Sequence, residues 1–207
     1  MACWCTDMPV TTRLCAVAAL ALSVAACTGP TVVTTDDTVA PPPAAAPPPE
    51  TTRPSNAHLA NAFAYALPGP ESAGGATVYA FTTPSGRWQC QITPRTQVSC
   101  GKAGGTATAI GITGAPDEVT DPDGGTTTPT AILVDRTADP QFAALPASEV
   151  TDPPVLPFNR ILAVAGFRCN VQEASGVSCL SELSGKGFTF SADGFTTAYT
   201  DVPADAP

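Results

Sequence analysis

Cysteine is the residue type whose spacing carries the clearest chemical signal in this chain. Four of the eight cysteines form two pairs with one pattern: aromatic-x-Cys-x-aliphatic, five further residues, then Val-Ser-Cys. These four are Cys90, Cys100, Cys169 and Cys179. Cysteines can ligate metals, act as nucleophiles or form disulfides. An even number in an oxidising compartment favours two disulfides, and the spacing does not suit a metal site.

The spacing of each pair suits a β-hairpin closed by a disulfide. Joining Cys90 to Cys100 places Ile92 opposite Val98 and leaves residues 94–96 as the loop. Directly opposed residues in a non-hydrogen-bonded pair lie about 4.5 Å apart at Cα, which a disulfide can span. Four cysteines allow three connectivities, and we predict the local one, Cys90–Cys100 and Cys169–Cys179. Each nine-residue loop is worth about 2.5–3 kcal/mol on the chain-entropy account.

The alternation of side chains assigns the two faces of the first hairpin. One face carries the cysteines with Trp88, Ile92 and Val98. The other face is polar and carries Arg87, Gln89, Gln91, Gln97 and Ser99. Trp88 and its counterpart Phe167 lie beside cysteines, so we expect them to pack in the core rather than to form a ligand patch. The repeated pattern also suggests that the two hairpins pack against each other about a pseudo-two-fold axis.

Residues that could carry catalysis are sparse. His58 is the only histidine, it lies in the segment beside a proline-rich stretch, and the chain has no Gly-x-Ser-x-Gly motif. A Ser-His-Asp or Cys-His hydrolase is therefore not expected, and one histidine cannot build a histidine metal site. We predict no catalytic residues, no metal and no cofactor.

Two charged features have simple interpretations. An acidic cluster before Gly124 is similar to half of a calcium loop, but it has no glutamate at the twelfth position, so we interpret it as a solvated loop. The cluster consists of Asp117, Glu118, Asp121 and Asp123. Arg95 falls at the tip of the first hairpin, where it could be presented to a trypsin-like protease or an acidic partner. A solvated arginine is the simpler interpretation.

The N-terminus predicts export and lipidation. Residues 14–26 form an apolar run that is shorter than the ~20 residues needed to span a bilayer and is typical of a signal peptide. Val24–Cys27 is similar to the bacterial lipobox, which implies a diacylated Cys27 as the first mature residue. The alternative is an ordinary secretory signal. Met8 begins a cleaner signal than Met1, and the three cysteines before Cys27 would be removed with it.

Composition divides the remaining chain. Residues 27–75 are predicted to be a tether rich in proline, alanine and threonine, with a short helix at 55–67 that Ser55 caps and Pro68 ends. Residues 76–201 are predicted to form the folded domain, and 202–207 a disordered tail. The formal net charge is −9, which argues against a nucleic-acid partner.

The predicted domain is all-β, a small sandwich or barrel with two disulfide-stapled hairpins. Short β-type runs separated by Gly, Pro and Asp favour this fold class. The predicted strands are 77–82, 88–92, 98–100, 107–112, 130–135, 167–171, 177–180, 188–190 and 196–200. Segments 114–128 and 139–157 are expected to be a polar insert and a long connection.

Several of these motifs together are similar to an actinobacterial family of secreted proteins of unknown function. The matching segments are Pro84–Gly86 before Cys90, Leu156–Phe158, Phe167–Cys169, Gly176–Cys179 and Gly185–Phe188. The family has Pro-Ser-Gly-Asn-Ile-x-Cys near its start and Gly-His-Gly-Phe near its end, whereas this chain has Arg87-Trp88 and Lys186 at the corresponding positions. The resemblance covers residues 81 to about 200. It implies secretion, disulfides and the domain limits, and it transfers no chemistry.

Taken together, the sequence predicts an extracytoplasmic lipoprotein anchored to the bilayer through acylated Cys27. Its domain is expected to be a non-enzymatic binding or structural module for an envelope ligand or protein. The alternative is a small envelope hydrolase that uses carboxylates alone.

Overall fold

A computed structural model describes residues 56–71, 74–104 and 108–207. They form an all-β domain of antiparallel strands. The strands are β1 (Ala66–Leu67), β2 (Val78–Thr82), β3 (Trp88–Thr93), β4 (Gln97–Lys102), β5 (Val119–Thr120), β6 (Thr126–Thr127), β7 (Ala131–Asp135), β8 (Gln141–Ala143), β9 (Ile161–Val164), β10 (Phe167–Gln172), β11 (Gly176–Ser181), β12 (Gly187–Phe190) and β13 (Phe195–Thr196). The predicted signal peptide, Cys27 and the tether up to residue 55 lie outside the described residues.

Two sheets form the body of the domain. The first sheet has the strand order β1-β2-β3-β4-β7-β8, the second has the order β13-β12-β11-β10-β9, and β5 and β6 form a separate ribbon. Apolar residues of both sheets share one buried core. Trp88 of the first sheet packs edge-on against Phe190 of the second, with ring centroids 5.1 Å apart. The all-β fold, predicted from the sequence as a small sandwich or barrel, is therefore confirmed, and its two sheets share a core as in a sandwich.

The two sheets repeat one topology around the two disulfides. Each is an antiparallel meander with the cystine hairpin inside it, so β2-β3-β4-β7-β8 corresponds to β9-β10-β11-β12-β13. The row of paired residues across the first sheet is Phe81, Cys90, Cys100 and Ile132. The row across the second is Leu162, Cys169, Cys179 and Phe188. All eight side chains are at most 1% exposed, so the duplication seen in the hairpins extends to the surrounding strands.

The disulfides meet in the core between the sheets. The Sγ atoms of Cys90, Cys100 and Cys179 all lie within 4.8 Å of one another. Cys90 is bonded to Cys100 and Cys179 to Cys169, so this cluster is a contact between two cystines and not a set of free thiolates. The hairpins therefore pack against each other, as the repeat suggested.

The helix predicted at 55–67 is wrong. In its place the chain forms a short 3₁₀ helix, Ala62–Tyr65, and then joins the first sheet as β1. Asn61 accepts a hydrogen bond from the Phe63 N–H, whereas the predicted cap Ser55 lies outside the described residues. Phe63 is 87% exposed, so the predicted apolar helix face is not buried as a unit. Pairing of Leu67 with Val78 overrides the local helical pattern.

Other boundaries also differ from the prediction. The backbone N–H of Ala60 bonds the Ile161 carbonyl, so the packed domain begins well before residue 76. At the other end Val202, predicted to be in the tail, is 2% exposed. No strand forms at 108–112, and of 196–200 only Thr196 lies in a strand. Strands β8 and β9 and the β5–β6 ribbon inside the polar insert have no counterpart among the predicted strands.

Candidate ligand-binding site

The predicted disulfides are formed between the predicted partners. Cys90–Cys100 and Cys169–Cys179 each join residues that lie directly opposite in a hairpin, with Cα atoms 4.1 Å apart. Trp88 and Phe167 are buried beside them, as expected for core residues. These residues stabilise the fold, and the bonded sulfurs offer no thiolate for chemistry.

His58 packs against the domain. Its backbone is left-handed, with φ of 63°, and its carbonyl accepts a hydrogen bond from the Ile161 N–H. The segment beside the tether in which His58 was expected therefore packs against the domain at this point. Its Nε2 atom is buried and has no hydrogen-bond partner among the described residues, so the histidine forms no dyad with a serine or a carboxylate there.

The charged features found in the sequence lie on the surface. Asp121 accepts hydrogen bonds from the backbone N–H groups of Asp123 and Gly125, so this carboxylate organises the turn between β5 and β6. Arg95 is exposed at the tip of the first hairpin with φ of 57°, and its own N–H bonds the Ala165 carbonyl. Neither residue lines the pocket described below.

The outer face of the second sheet is covered by the chain segment after β13. Asn170 donates a hydrogen bond to the carbonyl of Thr200 (2.9 Å). Gln172 donates to the carbonyls of Thr200 and Asp201 (both 3.2 Å). The Thr200 N–H bonds the Ser178 hydroxyl (2.8 Å), and Thr189 donates to the Ala198 carbonyl (2.8 Å). Side chains of the sheet thus hold the main chain of a segment that lies outside the strands.

Tyr199 lies within this covered face. Its hydroxyl accepts a hydrogen bond from Asn170 (2.9 Å) and donates to Asp201 (3.2 Å). Burial raises the pKa of Tyr199 well above its ordinary value, mainly because the phenolate would lose its hydration there. The Tyr199 phenol therefore acts as a neutral group that fixes the segment to the sheet.

The outer face of the first sheet is only partly covered, and it contains a pocket of about 240 Å³. Outward-facing side chains of β3 and β4 form its floor, and the segment after β8 forms a wall. The floor includes Gln89, Gln91, Thr93, Gln97 and Ser99, and the wall is residues 145–149. This volume is near the lower limit for small-ligand sites and suits a short extended group.

Hydrogen bonds hold the wall in place. Gln89 donates to the Ser148 hydroxyl and to the Val150 carbonyl (both 3.1 Å). Ser148 in turn donates to Oε1 of Gln91 (3.3 Å). Among the lining residues only Lys102 and Glu149 carry charge, so the floor is a surface of neutral amides and hydroxyls. Such a surface binds polar, uncharged groups by hydrogen bonding.

Sequence reasoning placed Gln89, Gln91, Gln97 and Ser99 on the polar face of a hairpin but did not include Thr93 and did not recognise a pocket. The available signal was their chemistry: from Gln89 to Ser99 the outward positions are Gln, Gln, Thr, Gln and Ser, without a charge. Such a face offers hydrogen-bond donors and acceptors without charge. The wall could not be foreseen, because residues 145–149 come from a connection distant in sequence.

Comparisons with protein-family models, curated proteins and solved structures found no match. Across the described residues, no helix has the length and apolar character required to traverse a membrane. The two disulfides indicate an oxidising, extracytoplasmic environment.

Proposed function

We propose that this protein is a membrane-anchored lipoprotein of the cell envelope whose folded domain is a non-enzymatic binding module. The observation that carries this proposal is the pocket on the first sheet, where neutral hydrogen-bonding side chains converge beneath an ordered wall. One buried disulfide joins the two strands that form the pocket floor, and the other joins two strands of the sheet packed beneath them. This arrangement suits a rigid site outside the cytoplasm.

The anchoring half of the proposal is supported by the sequence around Cys27 and by the proline-rich stretch after it. Polyproline II extends about 3.1 Å per residue, so residues 41–54 alone can span roughly 43 Å. A tether of this length would hold the domain away from the bilayer and within reach of envelope components.

Intact mass of the protein purified from its own envelope tests the anchor. We expect a chain that starts at Cys27 and carries acyl mass, with four alkyl groups added only after denaturation and reduction. An unlipidated N-terminus would refute the anchor. Alkylation without reduction would refute the two disulfides.

The non-enzymatic half is supported by what lines the pocket. Glu149 is the single carboxylate among the described lining residues, whereas glycoside hydrolysis generally uses two. No nucleophile with a hydrogen-bonded base is present on the described pocket floor either.

Retention on envelope material tests binding by the pocket. Ala147 is exposed in the wall, so Ala147→Trp would fill the mouth of the pocket without disturbing the core. We expect detergent-solubilised wild-type protein to be retained by detergent-washed cell envelopes and the Ala147→Trp protein to be released. Thr126→Trp, on the exposed β6 strand, is the matched control and should be retained. Equal retention of all three proteins would refute binding through this pocket.

A further inference from the structure

The second sheet shows what the outer face of this fold binds. Its occupant is segment 198–201, which lies outside the strands and is held by side chains rather than by strand pairing. Asn170 and Gln172 donate to main-chain carbonyls, and the hydroxyl of Ser178 accepts a main-chain N–H. These groups form a short receptor for a polypeptide backbone.

The pocket floor of the first sheet carries the corresponding receptor groups. In the first hairpin Gln91 lies directly opposite Ser99, one residue inside the disulfide. In the second hairpin Asn170 lies opposite Ser178 at the same place. An amide and a hydroxyl therefore face outward at matching positions of both sheets.

One step further along β3 the correspondence continues with a hydroxyl in place of an amide. Thr93 occupies the position in the first hairpin that Gln172 occupies in the second, three residues after the first cysteine. Both side chains can donate a hydrogen bond to a carbonyl. Three of the four side chains that hold segment 198–201 thus have a polar counterpart on the pocket floor, whereas the position of the fourth, Thr189, is occupied by Leu133.

On the first sheet these groups have unused hydrogen-bonding capacity. Gln91 uses Oε1 to accept from Ser148, and its Nε2 makes no hydrogen bond among the described residues. Within the same described part of the chain, the hydroxyls of Thr93 and Ser99 also form none. The hydrogen bonds of the wall reach Gln89 and the Oε1 atom of Gln91, and none of those described extends to Thr93 or Ser99.

We propose that the pocket binds an extended peptide segment of a partner protein through its main chain. Gln91 and Thr93 donate to its carbonyls, and Ser99 accepts one of its N–H groups. The partner segment resembles Ala198–Asp201 in the main-chain groups that it presents, and a pocket of about 240 Å³ suits a segment of that length. This inference rests on the proposed binding function and specifies its ligand class.

A labelled peptide with the sequence of residues 197–202 is the probe. Its fluorescence anisotropy is measured against the detergent-solubilised full chain, up to 1 mM protein (on the order of the weakest useful affinity). We expect saturable binding. The same peptide N-methylated at the residue equivalent to Thr200 lacks the N–H meant for Ser99 and should bind at least tenfold more weakly.

Matched variants test whether the pocket hydroxyls bind the peptide. Thr93→Val with Ser99→Ala removes two hydroxyls with little change of shape and should weaken binding at least tenfold. The control, Thr120→Val with Thr126→Val, changes a cross-strand pair on the exposed β5–β6 ribbon and should bind as the wild type does. Unchanged disulfide mass and circular dichroism verify that each variant is folded.

The outcomes separate the ligand class from the binding function. Absence of peptide binding, or equal binding to the hydroxyl-deleted variant, overturns the peptide assignment. If Ala147→Trp still releases the protein from envelopes in that case, the pocket binds another polar ligand and the binding function stands. Concentration-dependent dimerisation that Thr93→Val with Ser99→Ala abolishes would identify a second copy as the occupant, which also overturns the proposal.

Discussion

The disulfides provide the most quantitative prediction. One disulfide is removed by Cys90→Ala with Cys100→Ala, and the other by Cys169→Ala with Cys179→Ala. Each pair of substitutions opens a loop of nine residues, so the two loops are equal in length. The chain-entropy contribution is therefore equal for both, about 2.5–3 kcal/mol. Each substitution also removes two buried sulfur atoms, which adds about 1.5–2 kcal/mol if a sulfur counts as one methylene-sized group. The expected loss is about 4–5 kcal/mol per disulfide.

The assay is reversible unfolding in urea of a form that begins at Thr28 and so lacks the predicted lipidated cysteine. A loss of 4–5 kcal/mol is a large part of the ~5–15 kcal/mol stability of an ordinary domain. Each single-disulfide protein should still fold, with a Tm lowered by roughly 8–20 °C. The protein lacking both disulfides should be unfolded at 37 °C.

Two results would refute this reasoning. A loss below about 1 kcal/mol for either disulfide would mean that strand pairing alone holds the hairpins. A difference above about 2 kcal/mol between the two disulfides would mean that the repeats are not energetically equivalent, despite their identical loop lengths and matching buried neighbours.

The two outer faces give two further predictions. Asn170→Ala should lower the free energy of unfolding in urea by about 2–4 kcal/mol, because Tyr199 and Gln172 each lose a buried hydrogen-bond partner. The equivalent substitution at the pocket, Gln91→Ala, should lower it by less than about 1 kcal/mol. Equal losses would contradict the difference in coverage between the two outer faces. Burial raises the folded-state pKa of Tyr199. The stability that this shift contributes is therefore fully present below the unfolded-state pKa of about 10 and is lost as the pH rises above that value. Wild-type stability should therefore fall more steeply than that of Tyr199→Phe between pH 10 and 11.5, and parallel curves would show that this phenol does not control the alkaline limit.

The hairpins could be predicted because their information is local. The spacing of Cys90 and Cys100, with Ile92 and Val98 between them, defines register, loop and buried face within a few residues. The period-two alternation of apolar and polar residues then identifies the two strands of each hairpin. The same argument could not reach β8 or β9, since three or four residues are too few for a periodic signal.

The helix prediction failed for a non-local reason. Residues 59–66 have helical apolar spacing, but Tyr65 is buried against the domain and its hydroxyl bonds the Val155 carbonyl, about ninety positions along the chain. The pocket was missed for the same kind of reason. Its floor was visible as an uncharged polar strand face, whereas its wall depends on Ser148 reaching Gln89 and Gln91.

The contact between the two cystines has a consequence for oxidative folding. Cys179 comes close to Cys90 and Cys100 only after the sheets have met, and at that stage proximity no longer distinguishes a correct partner from a wrong one. Before that, a hairpin pair closes a loop about ninefold shorter than Cys90 with Cys179, which favours the native pair by about 2 kcal/mol. Pairing fidelity is thus decided in the open chain. The four sulfurs can lie together between the sheets because the two cysteines of each hairpin pair with each other before the hairpins meet.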